Sequence, residues 1–173
     1  MMTLICQYFP VVDAIDADIL KICTRAMAYK TSTVETYNNF YLKYLVPGPR
    51  IRLWNKDKTK YVDVKEGCHI FVTQNGVSKA IIGTPLIFYK YNQEKDRCEC
   101  QEPLERAFVT IHRNVQGEFP IAVGFAGTIH KFQGDTMDDT AIAINFDQSN
   151  NLHLIYTALS RVKSVQQIGA VQL

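Results

Sequence analysis

The last third of the chain alternates two kinds of segment, and that alternation most narrows what it can fold into. "FPIAVGFA", "AIAINF" and "IGAVQL" are nearly continuous apolar runs. Between the second and third, "NNLHLIYTALSRVKS" carries apolar residues at helical spacing, with Asn150 or Asn151 placed to cap it. A run without polar alternate residues suits a strand buried on both faces. Strands of this kind joined through helices imply a parallel sheet with right-handed crossovers.

The first segments fit the same layer. "TLICQYF" reads as a short strand, and "VVDAIDADILKICTRAMAY" places Val11, Val12, Ile15, Ile19, Ile22, Cys23, Ala26 and Met27 at helical spacing. Asp13 and Asp16 fall in its first turn, where carboxylates suit the positive end of the helix dipole. Punctuation arrives at "VPGPR". From there to about Val115 the runs are short and β-like ("RIRLWN", "YVDV", "HIFVTQN", "TPLIFYKY", "RAFVTIHR"), separated by the turn-forming "NKDKT", "NGVSK" and "NQEKD". Strands of this length and spacing suggest a small barrel or curled sheet. The expected organisation is one α/β layer from residues 1–45 and 118–173, with a β domain at 46–117 inserted into it.

Composition excludes little beyond disorder and membrane spans. The 173 residues are 47% hydrophobic and 21% charged, which suits a globular chain. Lys and Arg total 19 against 17 Asp and Glu, so any basic surface for a polyanion must be local. No apolar run approaches the length of a bilayer span. Five cysteines make no even disulfide framework and no charged leader precedes an apolar run, so the expectation is a reducing, intracellular setting, nucleus or cytoplasm, with viral origin also compatible. Cys98-Glu-Cys100 beside His69 or His112 has too short a gap for a zinc knuckle, so no metal site is expected.

One loop carries more chemistry than a turn needs. "AGTIHKFQGDTMDDTAIAINF" leaves an apolar strand and passes Thr128, His130, Lys131, Gln133 and Gly134 before the next strand begins. In parallel α/β sheets ligands collect outside the carboxyl ends of strands. There the Thr128 hydroxyl, the His130 ring and free amides of a starting helix suit phosphate oxygens, while Gly127 and Gly134 allow close backbone approach. Gln133 donates and accepts at once. Further on, "YTALSRV" holds Arg161 at a helix end expected on this same edge. Taken alone it reads as a dipole partner; taken with the preceding loop it reads as a guanidinium fork for a γ-phosphate. In "RIRLWNKDKTK", β alternation puts Arg50, Arg52 and Trp54 on one face. That face reads equally as a single-strand stacking platform or as a polar hairpin with one core Trp.

These stretches carry a resemblance. "TIHKFQGDTMD" and "YTALSRV" resemble motifs V and VI of superfamily-one helicases, in the 5′-to-3′ branch of RecD-like, petite-integration-frequency and Helitron type, whose usual strings are T-I-H-K-S-Q-G-x-T-x-D and Y-V-A-L-S-R-V. The match is strongest over residues 119–173. "VKEGCHIFVTQNGVSKAIIGT" is similar to the family's V-G-x-x-V-M-L-x-x-N stretch, with Ile82-Gly83-Thr84 in place of Asn-Gly-Thr. "YFPVVDAIDADI" is similar to the T-N-K-x-V-D-x-I-N neighbourhood of motif IV, with Phe9 and Pro10 replacing its Asn-Lys pair. Phe132 stands where relatives carry Ser, either stacking on a base or packing against the neighbouring lobe.

What the resemblance implies is a second RecA-like domain, a parallel sheet with flanking helices, interrupted by a small Src-homology-3-like β-barrel. It implies the carboxy-terminal half of an ATP-dependent 5′-to-3′ DNA helicase, with the first RecA-like domain of the same polypeptide and single-stranded DNA as partners. Thr128, His130 and Lys131, with Trp54 and Arg52 of the insert, would lie along the strand. Gln133 and Gly134 would border the nucleotide, and Arg161 would be the arginine finger. These 173 residues contain no G-x-x-x-x-G-K-[ST] loop and no following Asp-Glu pair, so ATP and Mg2+ are expected to be held mainly by the other half. The alternative reading is a free-standing or degenerate nucleic-acid-binding module with a helicase fold and no ATPase activity. An RNA helicase of a plus-strand virus fits the Q-G-x-T-x-D tail less well.

Overall fold

Asp16 sets where the first helix begins. Its carboxylate accepts from the amides of Asp18 and Ile19, both at 3.0 Å, and so caps a helix confined to Ala17–Ile22 (α1). The computed structural model describes residues 7, 9–75, 80–133 and 137–173. The expected opening strand "TLICQYF" falls almost wholly outside them.

The single helix expected over Val11–Tyr29 is corrected. Val11 bridges Val171 in parallel fashion, α1 is short, and Arg25–Ala28 is a strand, β1. Ala26, Met27 and Ala28 are wholly buried. The middle of a sheet covered on both faces admits small side chains, and strand pairing on each side outweighs the helix propensity of alanine.

Beyond β1 the chain forms α2 (Thr31–Phe40), continued by a π-helical turn at Tyr41–Leu45. Seven strands follow: β2 (Ile51–Trp54), β3 (Tyr61–Val64), β4 (His69–Val72), β5 (Pro85–Asn92), β6 (Arg97–Gln101), β7 (Phe108–Ile111) and β8 (Ile121–Val123). Then come β9 (Ala126–Thr128), a 3-10 turn at Ile129–Phe132, β10 (Ile142–Asn145), α3 (Leu152–Leu159), a second 3-10 turn at Val165–Gln167 and β11 (Ile168–Gln172). The chain divides into two compact units, Met1–Tyr41 with Phe125–Leu173, and Leu42–Gly124.

The first unit holds a parallel four-stranded sheet in the order β11-β10-β1-β9, the α/β layer expected from its apolar runs. Ile142, Ala143 and Ile144 are fully buried, as strands covered on both faces require. Asn151 caps α3 through the amides of His153 and Leu154. A buried polar seam crosses the sheet: the Asn145 amide donates to the Tyr37 hydroxyl at 2.8 Å and to Gln172 Oε1 at 3.2 Å. The outer edge of β9 is satisfied by one side chain. Asn38 accepts from the Ala126 amide at 2.7 Å and donates to its carbonyl at 3.1 Å, standing in for a neighbouring strand.

The second unit is antiparallel, with a five-stranded sheet in the order β7-β6-β5-β4-β8 and the hairpin β2-β3. Its hairpin turn is closed by Asn55, whose carboxamide oxygen accepts from the Thr59 and Lys60 amides at 2.9 and 3.0 Å. Cys98 and Cys100 point inward with their strand's buried alternates. Burial pushes the Cys100 thiol up to about 12 and the Cys68 thiol up to about 11. Among the described residues no three His, Cys, Asp or Glu side chains group as metal ligands.

"FPIAVGFA" is also corrected, because it is not one strand. Ile121–Val123 pairs antiparallel with β4, and Ala126–Thr128 pairs parallel with β1. Gly124 separates the two, and a methyl there would meet the Phe71 ring at 2.9 Å. An apolar run of this length reports burial but not a change of sheet.

Candidate nucleotide and nucleic-acid site

Parallel register brings β1 and β9 out of the sheet together, with Ala28 opposite Thr128. Thr128 caps the turn that follows, its hydroxyl oxygen accepting from the Lys131 amide at 3.3 Å. That bond uses a lone pair and leaves the hydroxyl proton for an acceptor such as a phosphate oxygen. His130 is exposed on the same turn, and so is Gln133, whose amide donates to the His130 carbonyl at 3.1 Å. Gly134 lies outside the described residues.

Phe132 is buried, and its position explains Gly127. A methyl on residue 127 would stand 2.8 Å from Phe132 Cε2, so the ring occupies space that a side chain would take. The Phe132 ring is thus taken up by packing within its own unit, which neither sequence option named. Lys131 runs back along the same glycine, with Cδ 3.6 Å from where that methyl would be. Burial first, and the like charge of Arg25 second, lower its ammonium from the ordinary lysine value.

The expectation that Arg161 shares an edge with Thr128 is corrected by topology. β10 and β11 are parallel, so α3 must run back across the sheet and deliver Arg161 to the amino-terminal side of those strands. There it meets the tail of the motif V-like stretch. The Met137 amide donates to the Arg161 carbonyl at 2.8 Å, and Met137 bridges Val162. Gln167 clasps the junction, donating to the carbonyls of Met137 and Asp139 at 3.2 and 2.8 Å and accepting from the Lys163 and Ser164 amides. Asp139 in turn pairs with Arg25 at 3.2 Å, and Asp138 with Lys163. The stretch from Thr128 to Met137 thus connects the carboxyl edge of the sheet with Arg161. The Arg161 guanidinium itself folds onto its own helix end. Nε donates to the Thr157 carbonyl at 3.1 Å, and Nη2 to Ser160 Oγ at 2.9 Å.

In the antiparallel unit the hairpin keeps Trp54 out of the core. Leu53 is the buried residue of β2, while Trp54 is 37% exposed and meets Tyr61 edge-on at 4.9 Å. Arg52 lies 4.0 Å over the Tyr61 ring and 5.7 Å from that of Trp54. Asp63 holds this arginine through two bonds of 2.8 and 3.1 Å, and those bonds lower its own carboxyl below the usual range. Tyr61 was missed in the sequence because cross-strand pairing places it beside Trp54. Next to Tyr61 opens a cavity of about 320 Å³, with Asn55, Gln74, Asn114 and Phe119 in its wall.

No family model matches the chain. No curated protein matches it either. Among solved structures the fold is shared with Pif1 helicases. The Candida albicans Pif1 helicase aligns with a TM-score of 0.68 at 14% identity, over 98% of this chain and 48% of its own. A Bacteroides Pif1 bound to single-stranded DNA gives 0.67 at 15%, over 89% and 44%. Bacteroides Pif1 in complex with ADP-AlF3 and single-stranded DNA gives 0.66 at 15%, again over 89% and 44%. The chain therefore spans less than half the length of these structures.

Proposed function

We propose that this chain is the carboxy-terminal motor half of an ATP-dependent 5′-to-3′ DNA helicase of the superfamily-one, petite-integration-frequency type. One observation carries the reading. The two stretches that resemble motifs V and VI, 24 residues apart at Met137 and Arg161, are joined by the Met137 amide on the Arg161 carbonyl beside a parallel sheet of the RecA-like kind. An inert clamp has no use for an arginine tied to the stretch that bears Thr128 and His130. The fold shared with Pif1 helicases, some of them solved with single-stranded DNA or a nucleotide analogue, supports the same reading.

On this reading Thr128 and His130 donate to strand phosphates, and Lys131 adds positive charge behind them. Gln133 and Gly134 border ATP. Arg161 meets charge on the γ-phosphoryl group, after its guanidinium leaves Thr157 and Ser160. The donor set fits one wall of a triphosphate site, since a guanidinium and an amide are anion ligands. Magnesium requires hard carboxylate oxygens, which these residues do not supply, so Mg2+ and most phosphate contacts belong to the other RecA-like half. The antiparallel unit, Leu42–Gly124, is read as an inserted Src-homology-3-like barrel, with Arg52 and Trp54 guiding the strand.

The test is strand binding by the 173-residue chain, read by fluorescence anisotropy at low and moderate salt. The Thr128→Ala/His130→Ala double variant should bind single-stranded DNA more weakly at both. Unchanged titrations would remove these residues from the strand path.

A further inference from the structure

The carboxyl edge that carries Thr128 also carries an aromatic residue outside both motif-like stretches. Tyr29 follows Ala28, which is opposite Thr128 in the β1-β9 register, so its ring leaves the sheet beside the turn that bears His130. The two rings lie 6.1 Å apart at 44°. Tyr29 is 41% exposed and His130 is exposed as well, so the pair presents ring surface to solvent rather than to the core.

The backbone under Tyr29 is fixed on both sides. Its amide donates to the Asn145 carbonyl at 3.0 Å, and the next amide, of Lys30, donates to Asp147 Oδ2 at 2.7 Å. The other oxygen of Asp147 takes the Thr33 hydroxyl at 2.6 Å, so this carboxylate is turned into the α2 entrance. Lys30, next in sequence, is exposed. A half-exposed aromatic with its backbone held on both sides, next to a turn of phosphate-donor chemistry, has the chemistry of a base-stacking platform.

We propose that Tyr29, with His130 against it, stacks on a nucleobase of the single strand whose phosphates Thr128 and His130 contact. The inference rests on the strand reading given above and deepens it. Phosphate donors position a strand without regard to its bases, whereas a ring face holds the base itself. The contact is sequence-tolerant, since every base offers a π-face, and it fixes the spacing of the strand on this edge to one nucleotide.

The experiment uses the 173-residue chain with two oligonucleotides of equal length, oligothymidylate and a fully abasic deoxyribose-phosphate strand, and measures anisotropy. Tyr29→Ala should weaken oligothymidylate binding roughly tenfold, within the span observed for base–aromatic stacking. Tyr29→Phe should bind like the wild type, because the ring face is kept. On the abasic strand the wild type and Tyr29→Ala should bind alike. Equal losses on both strands, or loss in Tyr29→Phe as well, would make the contact one to the backbone or to the fold and overturn the proposal. Wild-type binding that Tyr29→Ala leaves intact on oligothymidylate would overturn it while sparing the Thr128 and His130 reading. A wild type that binds neither strand would overturn both.

Discussion

Two side chains show how far a single position can be argued. Gly127 is required by the Phe132 ring and not by backbone angle, so Gly127→Ala should destabilise the chain by about 1–3 kcal/mol, the usual cost of overpacking. The same substitution made in Phe132→Ala should cost less, and a denaturant double-mutant cycle checks it. Arg161 separates two roles by size. As a helix-end partner of Thr157 it contributes about 0.3–1 kcal/mol; as a finger it is worth on the order of 10³–10⁵ in rate. On the proposed helicase reading, in a polypeptide that joins this chain to a phosphate-loop half, Arg161→Ala should leave the melting temperature nearly unchanged and abolish strand-stimulated turnover. Arg161→Lys should rescue little, because a point charge lacks the planar fork. Normal turnover per folded molecule in a destabilised Arg161→Ala would assign the residue to the helix end alone.

At the scale of elements, β9 depends on a side chain for its outer edge. Asn38→Ala removes both partners of the Ala126 backbone, at about 1–3 kcal/mol for a buried group left unsatisfied. Amide hydrogen exchange at Ala126 should accelerate, and the Thr128 turn should loosen with it. The hairpin makes a pH prediction. Hydrogen bonds from Arg52 hold the Asp63 carboxyl below its ordinary value. A lowered folded value means that the bond stabilises above the unfolded pKa of about 4 and is lost as pH falls through the folded one. Asp63→Asn should therefore be the less stable protein near neutrality and should lose stability less steeply in acid. Parallel acid curves for the two proteins would contradict this.

At the scale of the molecule, the proposed strand path, built from few donors, predicts weak, salt-sensitive binding. Each phosphate neutralised contributes about 0.7 to the slope of log affinity against log salt, so the slope should be shallow. By itself the chain should release no phosphate from ATP, because its sequence holds no phosphate-cradling loop. Strand-stimulated turnover by these 173 residues would defeat the half-motor reading.

Much of this was legible in the residues, and the reason is local. The apolar strands β10 and β11, the Asn151 cap of α3 and the turns at "NKDKT" and "NQEKD" depend on neighbours in sequence, where periodicity and capping chemistry act; the expected turn "NGVSK" lies almost wholly outside the described residues. What tertiary structure decided depends on partners remote along the chain. Ala26–Ala28 is a central strand because β9 and β10 pair with it, although its residues favour a helix. "FPIAVGFA" divides between two sheets because burial alone does not specify a partner. Tyr61 faces Trp54, and Tyr29 faces His130, through register between strands. Arg161 stands at the amino-terminal side because β10 and β11 are parallel, so the helix joining them must run back across the sheet, a consequence of pairing that no residue of "YTALSRV" encodes.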